Sequence, residues 1–210
     1  MSSIPSSAPS SADDGRRRRS ERSREAVVDA LLSLYEEGDL QPGAVRIAER
    51  AGLSERSVFR HFDDLEELAS AAIERHTARV APLFLAPSAE GDRQDRVDAL
   101  VEQRLAIHDR VRMVARAGVI LAESSTTVAA ALDRRREVLA AQAVDQFAEE
   151  LGGLDGTERS ELEQALALAV SFEAVAYLRS ATGVTREVAR GVLVRTVDAL
   201  LASALVPTEA

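Results

Sequence analysis

Three observations predict an all-α chain. Apolar residues recur every three or four positions from about residue 20 onward, the period of a helix face. Valines follow that same spacing instead of alternating with polar residues as a half-buried strand requires. No proline interrupts the stretch between Pro87 and Pro207, so long helices are permitted there. Aromatic residues make up only 3% and tryptophan is absent, so the core must be built mainly from Ala, Leu and Val. The chain divides on this reading into an N-terminal segment 1–19, a three-helix head 20–65 and a helical body 66–210, with about nine helices in all.

Residues 1–15 are mostly Ser, Ala and Pro and carry too few large apolar groups to fold. They are expected to be disordered, with Arg16, Arg17, Arg18 and Arg19 continuing them as a basic arm. In the first helix Ala26, Val27, Ala30, Leu31, Leu34 and Tyr35 share one face, and Gly38 can end it. A second helix is predicted over 44–51, with Ile47, Ala48 and Ala51 inward. Gly52 and Leu53 form a turn, and Ser54 can cap a third helix because its hydroxyl accepts from the free first-turn amides. That helix carries Val58, Phe59 and Phe62. A fourth starts at Asp64, with Leu65, Leu68, Ala69, Ala72, Ile73, His76 and Val80 on one face, and Pro82 stops it. Pro82, Pro87 and Gly91 mark a linker over 82–92. Five more helices are predicted over 93–109, 111–124, 126–151, 157–181 and 185–205. Their breaks fall at Asp109–Arg110, Ser124–Ser125, Gly152–Gly156 and Thr182–Gly183.

The net charge of −9 is unevenly distributed. Residues 1–62 hold ten arginines against ten carboxylates, whereas 63–210 carry the whole acidic excess. A locally basic front and an acidic body result. Every basic residue is Arg, which together with abundant Ala points to a GC-rich coding sequence. The absence of cysteine excludes disulfides, thiolate metal sites and thiol nucleophiles. No apolar stretch approaches the roughly 20 residues of a membrane span. The N-terminus lacks the apolar run of a secretory leader. A cytoplasmic protein without membrane contact is therefore expected. With no strand there is no strand-borne phosphate loop, and no nucleophile elbow or paired-His helix occurs, so enzyme classes are disfavoured. No cofactor or metal is implied: His108 is a lone histidine between Ile107 and Asp109, without the partners a metal site needs.

The informative stretch is Ala44 to Phe62, AVRIAERAGLSERSVFRHF. Its spacing is that of a helix-turn-helix. Ala48 allows close helix approach, Gly52 supplies a positive φ, Leu53 plugs the corner and Val58 packs back between the helices. Glu55, Arg56, Ser57, Arg60 and His61 are left outside, a composition suited to the DNA major groove. With the amphipathic helix ending at Gly38 before it and DDLEEL after it, residues 22–73 resemble the N-terminal domain of the tetracycline-repressor (TetR) family. The remaining helical body fits that family by architecture. The resemblance implies a homodimeric transcription regulator, with DNA read by the third helix and a small-molecule effector site in the C-terminal domain. The sequence departs from the family pattern at three places. Phe59 stands where many members have a phosphate-binding Tyr, Leu65 where a Lys is usual beside the acids Asp63 and Asp64, and Pro42–Gly43 where a Thr caps the second helix.

On this reading Arg56 and Ser57 are the base readers, with the Arg fork matching guanine O6 and N7. Glu55 either accepts from cytosine N4 or favours the positive helix end. Arg60 and His61 hold phosphates. Arg46, Arg60 and Arg16–Arg19 supply the phosphate-binding charge that Phe59 and Leu65 cannot, the arginine run acting either as a minor-groove arm or as a solvated tail. Stripes of Leu162, Leu166, Ala169, Val170 and Tyr177, and of Val188, Val192, Leu193, Val197, Leu200, Leu201 and Ala204, suggest a four-helix dimer interface or an internal core. A dimer would place two recognition helices on a palindromic operator. The effector cavity is expected near His108, Met113, Phe147 and Phe172, with Glu102, Arg112, Arg116 or Glu173 as polar contacts. The regulator is expected to be a repressor released by its ligand. The competing reading is a helical ligand-binding or scaffolding protein whose helix-turn-helix no longer reads DNA.

Overall fold

The computed structural model describes residues 11–88 and 90–203. Among these it contains no strand and ten α-helices: α1 Ser11–Glu36, α2 Ala44–Ala51, α3 Glu55–Val58, α4 Leu65–Val80, α5 Arg93–Leu121, α6 Thr126–Gln146, α7 Ala148–Leu151, α8 Gly156–Ala169, α9 Phe172–Ala176 and α10 Arg186–Ser203. A 3₁₀ turn follows α4 at Ala81–Phe84, and a π-helical turn follows α9 at Tyr177–Ala181. Two compact units divide between His76 and Thr77, inside α4. The expected boundary at 65/66 is thus too early. The first turns of α4 belong to the head, where Leu68, Ala69 and Ala72 are buried and Arg75 reaches back to the Glu25 carbonyl at 3.3 Å.

The head is built on α1, whose Val27, Leu31, Leu34 and Tyr35 are buried, as are Ile47 and Ala48 of α2, Val58 of α3 and Phe62. Arg50 fastens α2 to α1 through a two-pronged pair with Glu37 at 2.6 and 2.7 Å, plus the Ser33 hydroxyl at 2.6 Å. The N-terminal segment corrects the expectation of a disordered arm from residue 11 on, because α1 begins at Ser11. Arginine is a good helix former, and Arg18 pairs with Asp14 one turn earlier at 3.0 Å. Residues 1–10 lie outside the described set.

In the body, α5 is continuous through Asp109–Arg110, where a break was expected. A charged pair on the surface costs the backbone ladder nothing, and the buried positions continue past it as Val111, Val114 and Ala117. The expected 126–151 helix is interrupted at Phe147, which separates α6 from α7. The expected 157–181 helix breaks at Ser171, whose backbone turns extended (ψ 159°) while its hydroxyl accepts from Ala174 N at 3.0 Å. The main core joins Leu100, Val101 and Leu105 of α5 to Phe147, to Leu162 and Leu166 of α8, and to Leu193, Val197 and Leu201 of α10. A smaller core joins Val80, Ile107, Val111 and Leu139.

The linker over 82–92 is held by glutamines. Gln103 donates to the carbonyls of Leu83 and Leu85, Gln142 to Phe84 at 2.7 Å and Gln146 to Ser88 at 2.7 Å. Irregular backbone lying on a helical bundle must find such partners or leave its carbonyls unpaired. Arg104, 2% exposed, lies under this strap and donates to the Leu139 carbonyl at 2.6 Å and to the side-chain oxygens of Gln103 and Gln142. Burial pushes its pKa down to about 10, so it stays charged at neutral pH.

Candidate nucleic-acid interface and body cavity

The helix-turn-helix is closed by local chemistry. Gly52 adopts φ 67°, ψ 32°, donates to the Glu49 carbonyl, and is followed by Leu53 N donating to the Ala48 carbonyl at 2.9 Å. This paired arrangement ends α2 and needs a left-handed residue where it stands. Ser54 then caps α3, accepting from Ser57 N at 3.3 Å. α3 proper is one turn, and the chain continues hydrogen-bonded through Phe62, with Arg60 N on the Arg56 carbonyl and Phe62 N on the Val58 carbonyl.

This geometry leaves Glu55, Arg56 and Arg60 exposed and Phe59 45% exposed, while Val58 and Phe62 are internal. Three expected site features are otherwise engaged or dispersed. The Ser57 hydroxyl lies 2.9 Å from that of Ser54, so it belongs first to the cap. Arg46 pairs with Asp39 at 3.1 Å. Arg16–Arg19 are exposed on α1, and four consecutive helical residues fan around the axis instead of sharing a face. His61 is half-buried, with its ring Nε2 3.5 Å from an Arg60 nitrogen. Burial first, then the charges of Arg60 and Arg24, hold it below its ordinary value, so it is neutral at pH 7.

Arg24 was not among the expected site residues. Its guanidinium sits exposed, 4.6 Å from the centre of the Phe62 ring, and close enough to His61 for its charge to act on that ring. The signal was present: Arg24 lies one turn before Val27, a cation at the end of an apolar stripe. The acids Asp64 and Glu67 have a local task, since Asp64 accepts from Glu67 N at 2.8 Å and Glu67 from Asp63 N at 2.7 Å. They cap α4 much as a capping box does.

The body contains a cavity of about 220 Å³. Ile107, Val111, Ala115 and Val119 of α5 form one wall, a run at i, i+4, i+8 and i+12. Leu132, Arg135, Arg136, Leu139 and Ala140 of α6 form another, with Phe84, Val170, Phe172 and Glu173 completing it. Of the expected ligand residues, Phe172 and Glu173 line this space. His108 does not: it is 2% exposed behind Phe172, with ring centres 5.4 Å apart. Phe147 lies fully buried in the main core under Arg96. Arg112 and Arg116 are exposed and Met113 is half-buried; all three fall off the 107–111–115 face and do not line this cavity. Glu102 is taken by Arg186 at 2.8 Å and Arg190 at 2.9 Å.

The expected dimer stripe is largely internal. Leu162, Leu166, Val170, Leu193, Val197 and Leu201 are buried in this chain's own core, and Ala169 and Leu200 are half-buried. Three members of the stripe are exposed, Tyr177 (64%), Val188 (51%) and Val192 (40%), as is Leu168 (71%), which was not among the expected residues. Ala204 lies outside the described residues. Among the described residues no helix is long and apolar enough to cross a membrane.

No family model and no curated protein matches the chain. Solved structures do. A tetR-family transcriptional regulator from Streptomyces coelicolor superposes with a TM-score of 0.66 at 22% identity, over 88% of this chain and 82% of that one. A transcriptional regulator from Rhodococcus sp. Rha1 gives 0.63 at 19% identity, over 90% and 99%. Helix order, head and body together therefore give this chain the fold of the TetR-family transcriptional regulators.

Proposed function

We propose that this protein is a DNA-binding transcriptional regulator, a repressor that holds a palindromic operator as a homodimer and is released by a small molecule entering the body cavity. The observation that carries it is the exposed turn Glu55–Arg56…Phe59–Arg60, presented by the left-handed Gly52 and the Ser54 cap in a regulator fold. Arg56 supplies a fork for guanine, Phe59 an apolar contact for a thymine methyl, and Arg24, Arg60 and His61 a cluster for phosphate. That cluster is our account of how the chain manages without the Tyr and Lys of the family pattern. Release follows if the ligand prefers a body conformation in which α4, the covalent link to the head, is displaced; a ligand indifferent to that difference shifts nothing.

A helical ligand-binding protein with a silent head is the second reading. It is favoured by Ser57 being tied to its cap, Arg46 to Asp39, and by the exposed acids at 63 and 64. Fluorescence anisotropy on the DNA upstream of its own gene separates the two. Arg56→Ala is expected to cost about 1–3 kcal/mol and relax sequence preference, whereas Arg60→Ala weakens all sequences alike and flattens the salt slope. Absence of binding at low salt rejects the regulator reading.

A further inference from the structure

The cavity treats its two arginines differently. Arg136 donates to Glu173 at 2.9 Å and to Asp133 at 2.8 Å, so its charge is matched. Arg135 has no carboxylate partner among the described residues. Its NH2 group donates to the Thr77 hydroxyl at 2.8 Å, and its guanidinium stacks 5.2 Å from the centre of the Phe84 ring. Burial lowers its pKa, with no anion acting in the other direction. Arg104, the other guanidinium without a carboxylate that is depressed by burial, has carbonyl and amide oxygens as acceptors; Arg135 has a single hydroxyl. Half-buried, it lines a space whose other walls are Ile107, Val111, Leu132, Leu139 and Phe172 together with the Arg136–Glu173 pair.

We infer that the cavity takes an amphipathic anion, an aliphatic chain ending in a carboxylate, with the head on Arg135 and the tail along the α5 wall. This rests on reading the cavity as the effector site and names the class of molecule for it. A half-buried guanidinium lacking its anion is an incomplete pair, and a planar carboxylate meets its fork with two parallel bonds. Size bounds the tail. A cavity of about 150 Å³ holds benzene, so about 220 Å³ corresponds to roughly eight to ten carbons.

Calorimetry with the full-length protein, using sodium hexanoate, sodium octanoate and 1-octanol, tests this without DNA. Octanoate is expected to bind at least tenfold more tightly than 1-octanol, and about fifteenfold more tightly than hexanoate, at about fourfold per methylene. Arg135→Gln should erase the preference for octanoate and leave 1-octanol within twofold. Arg135→Lys, which keeps the charge, should retain part of that preference, and thermal melts of both variants should match the parent. Equal binding of octanoate and 1-octanol, or an unchanged preference in Arg135→Gln, overturns the anionic class while the cavity stands as a binding site. Binding of neither, with Ala115→Trp also without effect on a small neutral apolar probe such as toluene, overturns the cavity reading as well.

Discussion

His108 shows how a side chain's meaning changes when its surroundings are known. In the sequence it is a lone imidazole near a cavity; in the structure neither ring nitrogen has a hydrogen-bond partner among the described residues, and Asp109 stands 3.6 Å from Nδ1, beyond bonding distance. Burial holds its pKa below the ordinary 6.5, against the raising influence of Asp109. The folded chain then resists a proton that the unfolded chain accepts as pH falls below 6.5. Stability conferred by the neutral ring is complete above that value and is lost on acidification toward the folded pKa. Urea midpoints at pH 7.5 and 5.5 should differ more for the parent than for His108→Leu. An equal drop in both would show that the ring does not couple to folding. By contrast, exposure of Glu55, Arg56 and Arg60 was legible from helical period alone, because it depends only on neighbours one turn away. The engagement of Ser57 by Ser54 was not, since both residues read equally well as caps or as contacts.

The turn between α2 and α3 was readable because its causes are local: a residue needing positive φ, and a hydroxyl in reach of a free amide. Nothing lies within 4 Å of a Cβ built on Gly52, so its replacement is strained by backbone conformation alone. Gly52→Ala is expected to destabilise the protein by about 1 kcal/mol, in keeping with left-handed backbone at an L residue. Ser54→Ala should cost a similar ~1 kcal/mol through removal of the cap. Thermal denaturation measures both, and Gly52→Asn should be milder than Gly52→Ala. The breaks that sequence reading missed, at Phe147 and Ser171, sit inside apolar runs where period alone argues for continuity. Ser171 did carry a signal, a hydroxyl followed by an acid two positions on, which favours a helix start.

At the scale of the molecule, the apolar stripe of α8 and α10 was read as a dimer interface or a core, and most of it is core. An amphipathic pattern shows that a face is buried and not what buries it. The two possibilities separate by mutation if the exposed set is the self-contact. Val188→Glu with Val192→Glu is expected to halve the solution mass by sedimentation while leaving the melt of the chain nearly unchanged. Leu193→Ala, at a 2% exposed core position, should instead cost about 2–5 kcal/mol of stability. A double variant that remains dimeric would remove this face from the proposed interface.

Whatever is governed by interactions within a turn or two of chain could be deduced without coordinates: the all-helical class, the head's helix-turn-helix, its caps and its outward-facing charges. Period, φ preference and capping act over a few residues, and the sequence displays them directly. Partnerships across tens of residues required the fold. Arg24 beside His61, glutamines on the linker carbonyls, Arg135 left unmatched beside a matched Arg136, and the allocation of one stripe to the interior all arise from that folded packing. Such contacts depend on which helix faces meet in space, and residue spacing along a helix carries no record of that.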